Sequence, residues 1–343
     1  MFKNFIHSQD SFIIAEVGQN HQGNLDNAIE YIKTFSRLGA DSIKFQTRNN
    51  KYLFSEEAYN KAYNSENAFA KTYGAHREAL ELEIKWLDII AKTCKDEGVY
   101  FMSTPFDEPS LEVLVDKGVE IIKIASFDLG NLPFIKRIAD TKIPVVMSIG
   151  GGKIEQISSS IEILLNQNCD LAVLHCVSEY PCEFDRLGLE NISILKEQFP
   201  ECAIGSSDHF NGTLSGPIAY MKGARVFEKH VTLNRAWKGT DHSFALEPDG
   251  FRKFVRDIRR VPQMMPQKDK NDLGKEFVFQ KLGKSIIAKT DLNEGDVLTL
   301  ENLSGKIFNN IYIPVRESNT LIGKKLKRPI KASHFITLDD LEN

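Results

Sequence analysis

Short apolar runs recur at Phe12–Val17, Ser42–Gln46, Tyr100–Thr104, Ile121–Ser126, Pro144–Ser148, Leu171–His175, Ala203–Ser207 and Arg225–His230, and most of them end in a polar or ionisable residue. Runs of this length and composition read as buried strands. The segments between them follow a helical period instead. Leu25, Ala28, Ile29, Ile32 and Phe35 share one helix face, and Leu38-Gly39 follows as a stop. Ile84, Leu87, Ile90, Ala91 and Cys94 form a second stripe, ended by Gly98. Further helices are expected around Leu111–Leu114, Phe134–Ile138, Ile154–Leu165, Ile192–Phe199, Leu214–Lys222 and Pro248–Val261. Strand and helix alternating in this way eight times predict an α/β fold, a closed parallel (β/α)8 barrel rather than an open sheet.

Two stretches break the rhythm. From Arg48 to about Ala79 the chain is polar and rich in Tyr, Asn and Glu. A long insertion after a barrel strand usually caps or lines the active-site mouth, although a neutral surface insertion has the same composition. Val261-Pro-Gln-Met-Met-Pro-Gln-Lys-Asp-Lys-Asn-Asp272 combines prolines and charges with little apolar period, which marks a boundary. The chain therefore divides into a barrel over 1–261, a linker over 262–284 and a small β-rich unit over 285–343. In that unit Ser285–Lys289 and Asp296–Leu300 are expected as strands joined through the Gly turn at Asp291–Gly295.

Composition narrows the class. A length of 343 residues holds one barrel of ~250 residues and a small extra unit. A net charge of −4 with no long basic run argues against a nucleic-acid or membrane-surface partner. No run approaches the ~20 apolar residues of a membrane span, and Met1–Asp10 lacks the apolar core of a signal peptide. The five cysteines, Cys94, Cys169, Cys176, Cys182 and Cys202, show no CxxC spacing. They read as free thiols of a reducing, cytoplasmic compartment.

In such barrels the chemistry sits at the carboxyl ends of the strands. The candidates are Glu16, Lys44, Gln46, Thr104, Lys123, Ser126, Ser148, His175, Ser207, Asp208, His209, Glu228 and His230. His209 and His230 end neighbouring strands. With Glu16, Asp208, Glu228 and Asp241 near, they suit Mn²⁺ or a similar divalent ion, or else form two hydrogen-bonded barrel histidines. Lys44 and Lys123 sit inside apolar strands, where an unpaired ammonium is costly. They call for an anionic ligand ringed by the hydroxyls of Thr104, Ser126, Ser148 and Ser207, or for internal carboxylate partners such as Glu16 and Glu228. Gly150-Gly151-Gly152 is an anion-binding backbone or a tight turn. Cys176 beside His175 suggests a nucleophile, or simple packing. The polar loop Trp237–His242 is expected to touch substrate.

Several stretches together resemble the sialic acid synthase family: Ala15-Glu-Val-Gly-Gln-Asn-His21, Ile43-Lys-Phe-Gln46, Ser103-Thr-Pro-Phe106, Ile122-Lys-Ile-Ala-Ser126, Ser207-Asp-His209, Glu228-Lys-His230 and Lys238-Gly-Thr-Asp-His242. The segment from Ile287 to Thr299 resembles that family's antifreeze-like (SAF) domain. The resemblance implies a cytoplasmic transferase that condenses phosphoenolpyruvate with the open-chain aldehyde of an N-acylated hexosamine. That acceptor would be N-acetylmannosamine or a diacetamido-trideoxyhexose, and the products a sialic-type acid and phosphate. It implies Mn²⁺ on His209 and His230, and Glu16, Lys44 and Lys123 as catalytic residues. Thr104, Ser126, Ser148 and Ser207 would hold phosphoenolpyruvate. Gln46, Tyr180 and Asp241 would contact the sugar. A homodimer with exchanged tails is also implied.

The resemblance has departures, and they fall on the sugar side. Asp128 stands where members usually carry Glu, Ser178 replaces a common Asn, and Ser148-Ile-Gly-Gly replaces Ser-Thr-Gly-Met. The tail reads Asn302-Leu-Ser-Gly-Lys-Ile-Phe308 in place of an Arg-Pro-Gly segment, which leaves Lys306 or Arg316 as substitutes. A different metal-dependent aldol-type barrel, with Lys123 as a Schiff-base lysine, is the alternative enzyme.

Overall fold

Eight parallel strands close on one another in chain order: β1 (Phe12–Gly18), β2 (Ser42–Thr47), β3 (Tyr100–Pro105), β4 (Ile121–Ile124), β5 (Val145–Ser148), β6 (Leu171–Cys176), β7 (Ala203–Asp208) and β8 (Val226–His230). A computed structural model describes residues 1–342. Eight helices return the chain: α1 (Leu25–Arg37), α2 (Leu87–Asp96), α3 (Glu108–Asp116), α4 (Leu132–Asp140), α5 (Ile154–Asn166), α6 (Asn191–Gln198), α7 (Ser215–Met221) and α8 (Pro248–Met264). The expected barrel forms, with the two expected periodicities in the expected places.

The strand period of two explains how one chain builds both a core and a site. Phe12, Ile14, Met102, Ile121, Val146, Ala172, Leu174, Ala203 and Val226 point into the lower barrel and pack as one buried cluster. Phe2 closes this cluster from below. Its short turn is held by the Phe2 and Lys3 amides, which donate to Asp170 at 2.8 and 2.9 Å. The intervening residues, among them Ile13, Ala15, Val17, Ile43, Phe45, Phe101 and Ile122, face outward into a second core shared with the helices. One step further up each strand, the inward positions become polar.

Local signals set the helix ends. Asn24 caps α1, its side chain accepting from the Asn27 amide, and Gly39 follows the helix in the left-handed region at φ +98°. Asp107 caps α3 by accepting from the Ser110 amide, and its other oxygen accepts from the Asn49 amide at 2.8 Å. That second bond ties the β2 insertion to the barrel. The insertion itself carries short helices at Asn50–Leu53, Glu56–Asn60 and Tyr73–Glu78.

The chain forms two compact units, Met1–Met265 and the segment from Pro266 onward. Helix α8 runs through Pro262 to Met264, past residue 261. The second unit has its own core, including Ile286, Ala288, Leu298, Leu321, Leu326 and Ile336. Its sheet pairs β9 (Lys284–Ala288) antiparallel with β10 (Leu303–Ile307). The strand expected at Asp296–Leu300 does not form. Asn302 instead folds that stretch into a turn, accepting from the Thr299 amide at 2.8 Å and donating to the Val297 carbonyl at 2.9 Å. The strand falls seven residues later, at Leu303–Ile307, where Gly305 and Lys306 hid it. Residue 343 of the expected tail unit lies outside the described residues. Among the described residues, no helix is long and apolar enough to cross a membrane.

Candidate active site

A cavity of about 330 Å³ opens at the carboxyl ends of the barrel strands. Of the site residues expected from the sequence, Glu16, Lys44, Gln46, Thr104, Lys123, Ser126, Ser148, Tyr180, Ser207, His209, His230 and Asp241 line it. Asp128 and Ser178 do not. Strand β4 ends at Ile124, and the turn at Ser126–Asp128 swings the Phe127 ring to the cavity. Asp128 instead accepts from the Asn131 side chain at 3.0 Å. Ser178 lines a neighbouring groove with His175 and Asn191. His175 Nε2 donates to the Leu187 carbonyl at 2.7 Å and stays out of the cavity.

Buried charge organises the floor. Lys44 Nζ lies 2.8 Å from Glu16 Oε2 and 3.6 Å from Glu228 Oε1, and donates to Thr104 Oγ1 at 3.3 Å. Burial pushes the Glu16 carboxyl up to about 7, opposed by Lys44 and assisted by Glu228. Burial also disfavours the Lys44 ammonium, but the Glu16 and Glu228 carboxylates outweigh it and hold the group above its usual value. Glu228 would be raised by burial as well. Lys123 and Lys44 overcome this and keep it ionised. Lys123 differs: burial lowers it, and its one hydrogen-bond partner is the Ile124 carbonyl at 3.0 Å. Both proposed fates of the lysines are therefore present. Lys44 has internal carboxylates, while Lys123 faces the cavity as a cation without a close one.

The hydroxyls line the same cavity as that cation. Ser148 Oγ is buried with no hydrogen-bond partner. Ser207 Oγ donates to Glu228 Oε1 at 3.1 Å. Ser126 Oγ accepts from the Gly150 amide at 2.9 Å. That bond settles the glycine triplet at Gly150: its N–H is spent on a side chain and does not face a ligand. An unpaired lysine beside a buried, unpartnered hydroxyl is an anion cradle in need of its anion.

The two histidines meet as expected, with ring centroids 5.4 Å apart. His209 Nδ1 bonds the Val177 carbonyl at 2.8 Å, which leaves Nε2 with its lone pair. His230 Nδ1 is buried without a hydrogen-bond partner and lies 3.9 Å from Asp241 Oδ2. Burial lowers His230, which keeps it in the neutral, ligating form. Two free imidazole nitrogens and a carboxylate fit a divalent ion. Among the described residues no three His, Cys, Asp or Glu side chains form a ready-made set. The remaining coordination positions would fall to water or substrate oxygen.

Some lining residues were missed from the sequence. Gln19, Arg48, Arg77, Phe106 and Thr240 complete the rim. Glu228, expected as a strand end and a possible carboxylate partner of the lysines, is central to the charge network. Cys176 also lines the cavity, where burial raises its thiol but His209, Lys123 and Ser126 bring it below the usual value. The cue for Arg48 was its place two residues beyond Gln46. Nothing in the local sequence marked Arg77.

The comparisons with known proteins agree with this fold. The NeuB family profile matches residues 31–270. The N-acetylneuraminate-9-phosphate synthase of Homo sapiens is 33% identical, covering 97% of this chain and 93% of the relative. The N,N'-diacetyllegionaminic acid synthase of Legionella pneumophila is 30% identical over 98% of this chain and 96% of its own length. The crystal structure of the N-acetylneuraminic acid synthetase from Leptospira borgpetersenii superposes with a TM-score of 0.69 at 30% identity, covering 78% of this chain and 90% of that one.

Proposed function

Since this chain belongs to the NeuB family, we propose that it condenses phosphoenolpyruvate with the open-chain aldehyde of an N-acylated hexosamine, giving a sialic-type nonulosonic acid and phosphate. It is then a transferase of the N-acetylneuraminate synthase type. The observation that carries the reading is the pairing of Lys123, a buried cation without a close carboxylate, with the unpartnered Ser148 hydroxyl on the same cavity floor. Phosphoenolpyruvate supplies the missing anion.

The chemistry follows from the layout. The lysines and hydroxyls hold the phosphate and carboxylate of phosphoenolpyruvate, and the rim holds the sugar. Two reactants fixed in register replace a bimolecular encounter, an effect that reaches several kcal/mol. The enol carbon bonds to the aldehyde carbon, and positive charge develops at the carbon bearing phosphate. Glu16, in its ionised form beside Lys44, faces that charge. Water adds there, the phosphate leaves towards Lys123 and Lys44, and a ketoacid remains. His209 and His230, with Asp241, would hold Mn²⁺ or another divalent ion, which supplies Lewis-acid polarisation of the aldehyde oxygen. Gln46 and Tyr180 contact the acceptor.

The free, buried cysteines accord with a reducing cytoplasm. A homodimer with exchanged tail units is part of the reading. It is supported by the exposed apolar side chains Phe277, Val278 and Leu282 at the start of the second unit. Arg316 is engaged within its own unit, stacked 4.7 Å from the Phe279 ring.

The test is phosphate release from phosphoenolpyruvate with Mn²⁺ across a panel of N-acylated hexosamines and trideoxy analogues. Release that depends on the sugar carries the reading. Borohydride trapping of a carbonyl substrate on Lys123 without phosphate release would replace it with the Schiff-base aldolase. Deleting 271–343 is expected to abolish release while the barrel, which has its own core, still unfolds cooperatively.

A further inference from the structure

Inward and outward residues alternate along a strand, so each cavity residue has a neighbour on the opposite face. From β7 and β8 the cavity takes Ser207, His209, Glu228 and His230. Between them Asp208 and Lys229 point the other way, towards the helix layer, where Ser215 at the start of α7 donates to Asp208 Oδ2. The two are cross-strand partners in the β7–β8 register. Lys229 Nζ lies 2.7 Å from Asp208 Oδ2, and the side chains are 1% and 4% exposed. The reaction above uses neither residue.

Holding two strands together does not require so deep an ion pair. Its Coulomb attraction is offset by lost hydration, and packed apolar residues of the same volume are often as stabilising or more so. The rest of its hydrogen bonding sets this pair apart. Asp208 Oδ1 accepts from the Phe210 amide at 2.7 Å, and Lys229 Nζ donates to the Phe210 carbonyl. The ammonium also lies 5.7 Å from the Phe210 ring centroid. The residue after His209 is therefore gripped through both of its backbone polar groups.

That grip falls where the chain leaves the sheet. Strand β7 ends at Asp208, so His209 lies beyond the ladder and has no register to fix it. Its surroundings fix it instead. Phe210 is held by the ion pair, the Cys182 amide donates to the His209 carbonyl at 3.1 Å, and the Val177 carbonyl takes the ring Nδ1 at 2.8 Å. On the other strand Lys229 directly precedes His230, which is still within β8. One strut thus joins the residues next to both histidines, on the face of the strands away from their rings. The ring centroids stand 5.4 Å apart. A site with two protein nitrogens needs its ligands held to within about 0.5 Å.

We propose that Asp208 and Lys229 are positioning residues of the divalent-ion site: their ion pair fixes the exit of β7, so that His209 presents its free ring nitrogen at the spacing from His230 that one ion needs. The inference rests on the reading of the two histidines as ligands. It adds two residues that lie outside the cavity and act through the histidines beside them. Ser215 belongs to the same device, since its hydroxyl orients the Asp208 carboxylate from α7.

The test compares the full-length wild type with Lys229→Met, which keeps the apolar stem and removes the charge. Mn²⁺ affinity is read by electron paramagnetic resonance, and phosphoenolpyruvate affinity by calorimetry on the metal-free protein. Lys229→Met is expected to raise the Mn²⁺ dissociation constant about 10- to 100-fold, the cost of losing an outer-shell partner, with phosphoenolpyruvate affinity little changed. In histidine-labelled, metal-free protein the His209 ring N–H signal, protected in wild type by the Val177 carbonyl, should shift or broaden. Unchanged Mn²⁺ affinity overturns the proposal. So does an equal loss of both affinities, which would make the pair a general support of the barrel. Should Lys229→Met fail to fold, Ser215→Ala asks the same question with the ion pair intact. A weaker Mn²⁺ site at unchanged phosphoenolpyruvate affinity then supports the proposal, and unchanged Mn²⁺ affinity overturns it. Wild type that binds no Mn²⁺ fails the ligand reading and the proposal with it, while its binding of phosphoenolpyruvate would leave the anion cradle standing.

Discussion

Glu16 Oε2 lies 2.8 Å from Lys44 Nζ, and both side chains are almost wholly removed from water at the carboxyl ends of adjacent strands. The pair sets how each group can act. Lys44 opposes the burial that raises Glu16 to about 7, and the ionised carboxylate, fixed beside Lys44, can face a developing positive charge without reorganising. Glu16→Gln keeps the shape and the Gln46 contact but removes the charge. It is expected to lower kcat by about 10²–10⁴-fold, the range for a positioned acid, base or charge stabiliser. Phosphoenolpyruvate binding, read by calorimetry, should survive. Loss of binding instead would make Glu16 a structural partner of Lys44.

The barrel and its floor were legible because one rule wrote both. Inward positions on each strand are apolar low in the barrel and polar at its mouth, so Ile14 and Glu16, or Ile121 and Lys123, announce layer and site together. The misreadings have a different physical source. Asp128 is expected at the site only through the resemblance, where members carry Glu; β4 ends four residues earlier, and the turn that follows brings the Phe127 ring to the cavity instead. Arg48 and Arg77 depend on where the insertion docks, which is decided by Asp107 holding the Asn49 amide and by Gly74 against Tyr59. Such contacts join residues far apart in the chain and leave no local period. Strand β10 was hidden because its composition, Leu-Ser-Gly-Lys-Ile, is that of a half-exposed edge.

Metal removal should separate the histidines from the lysines. His230 offers a buried nitrogen without a hydrogen-bond partner, and His209, its Nδ1 held by the Val177 carbonyl, presents its other ring nitrogen at the cavity, while the lysines line the floor apart from them. Chelation is expected to abolish turnover and Mn²⁺ to restore it. His209→Ala should weaken Mn²⁺ binding, measured by electron paramagnetic resonance, by more than the roughly 10–100-fold cost of losing an outer-shell partner. Unchanged affinity in that variant would remove His209 from the ligand set.

Acid stability should carry the signature of His21. Burial lowers this histidine to about 3, and its Nε2 has no hydrogen-bond partner. Unfolded, the imidazole takes a proton below about 6.5. Between those values the unfolded chain binds more protons, so stability is full above pH 6.5 and is lost as pH falls towards 3. One such group adds a slope of at most about 1.4 kcal/mol per pH unit. His21→Asn is expected to flatten the pH dependence of urea unfolding in that window, whatever it does to stability at neutral pH. An equal slope in the variant would assign the acid sensitivity to other groups, of which His242, lowered by burial to about 4, is the first to examine.

Gly150 offers the sharpest probe of the anion cradle from outside it. Its amide donates to Ser126 Oγ at 2.9 Å. A Cβ there would come within 2.3 Å of Ser178 Oγ and 2.9 Å of Ser126 Oγ, with Cys176 Sγ at 3.2 Å. The two serine hydroxyls must shift and Cys176 Sγ must give by a few tenths of an ångström, while all three belong to short segments anchored at strand ends. Overpacking of this kind costs about 1–3 kcal/mol. Gly150→Ala is therefore expected to push the Ser126 hydroxyl off the lysine floor and raise the KM for phosphoenolpyruvate about tenfold or more. The acceptor KM, set across the cavity by Gln46 and the arginine rim, should move far less. A variant with both KM values raised equally would mean that the barrel mouth as a whole has shifted, and the cradle would lose Ser126 as a distinct member.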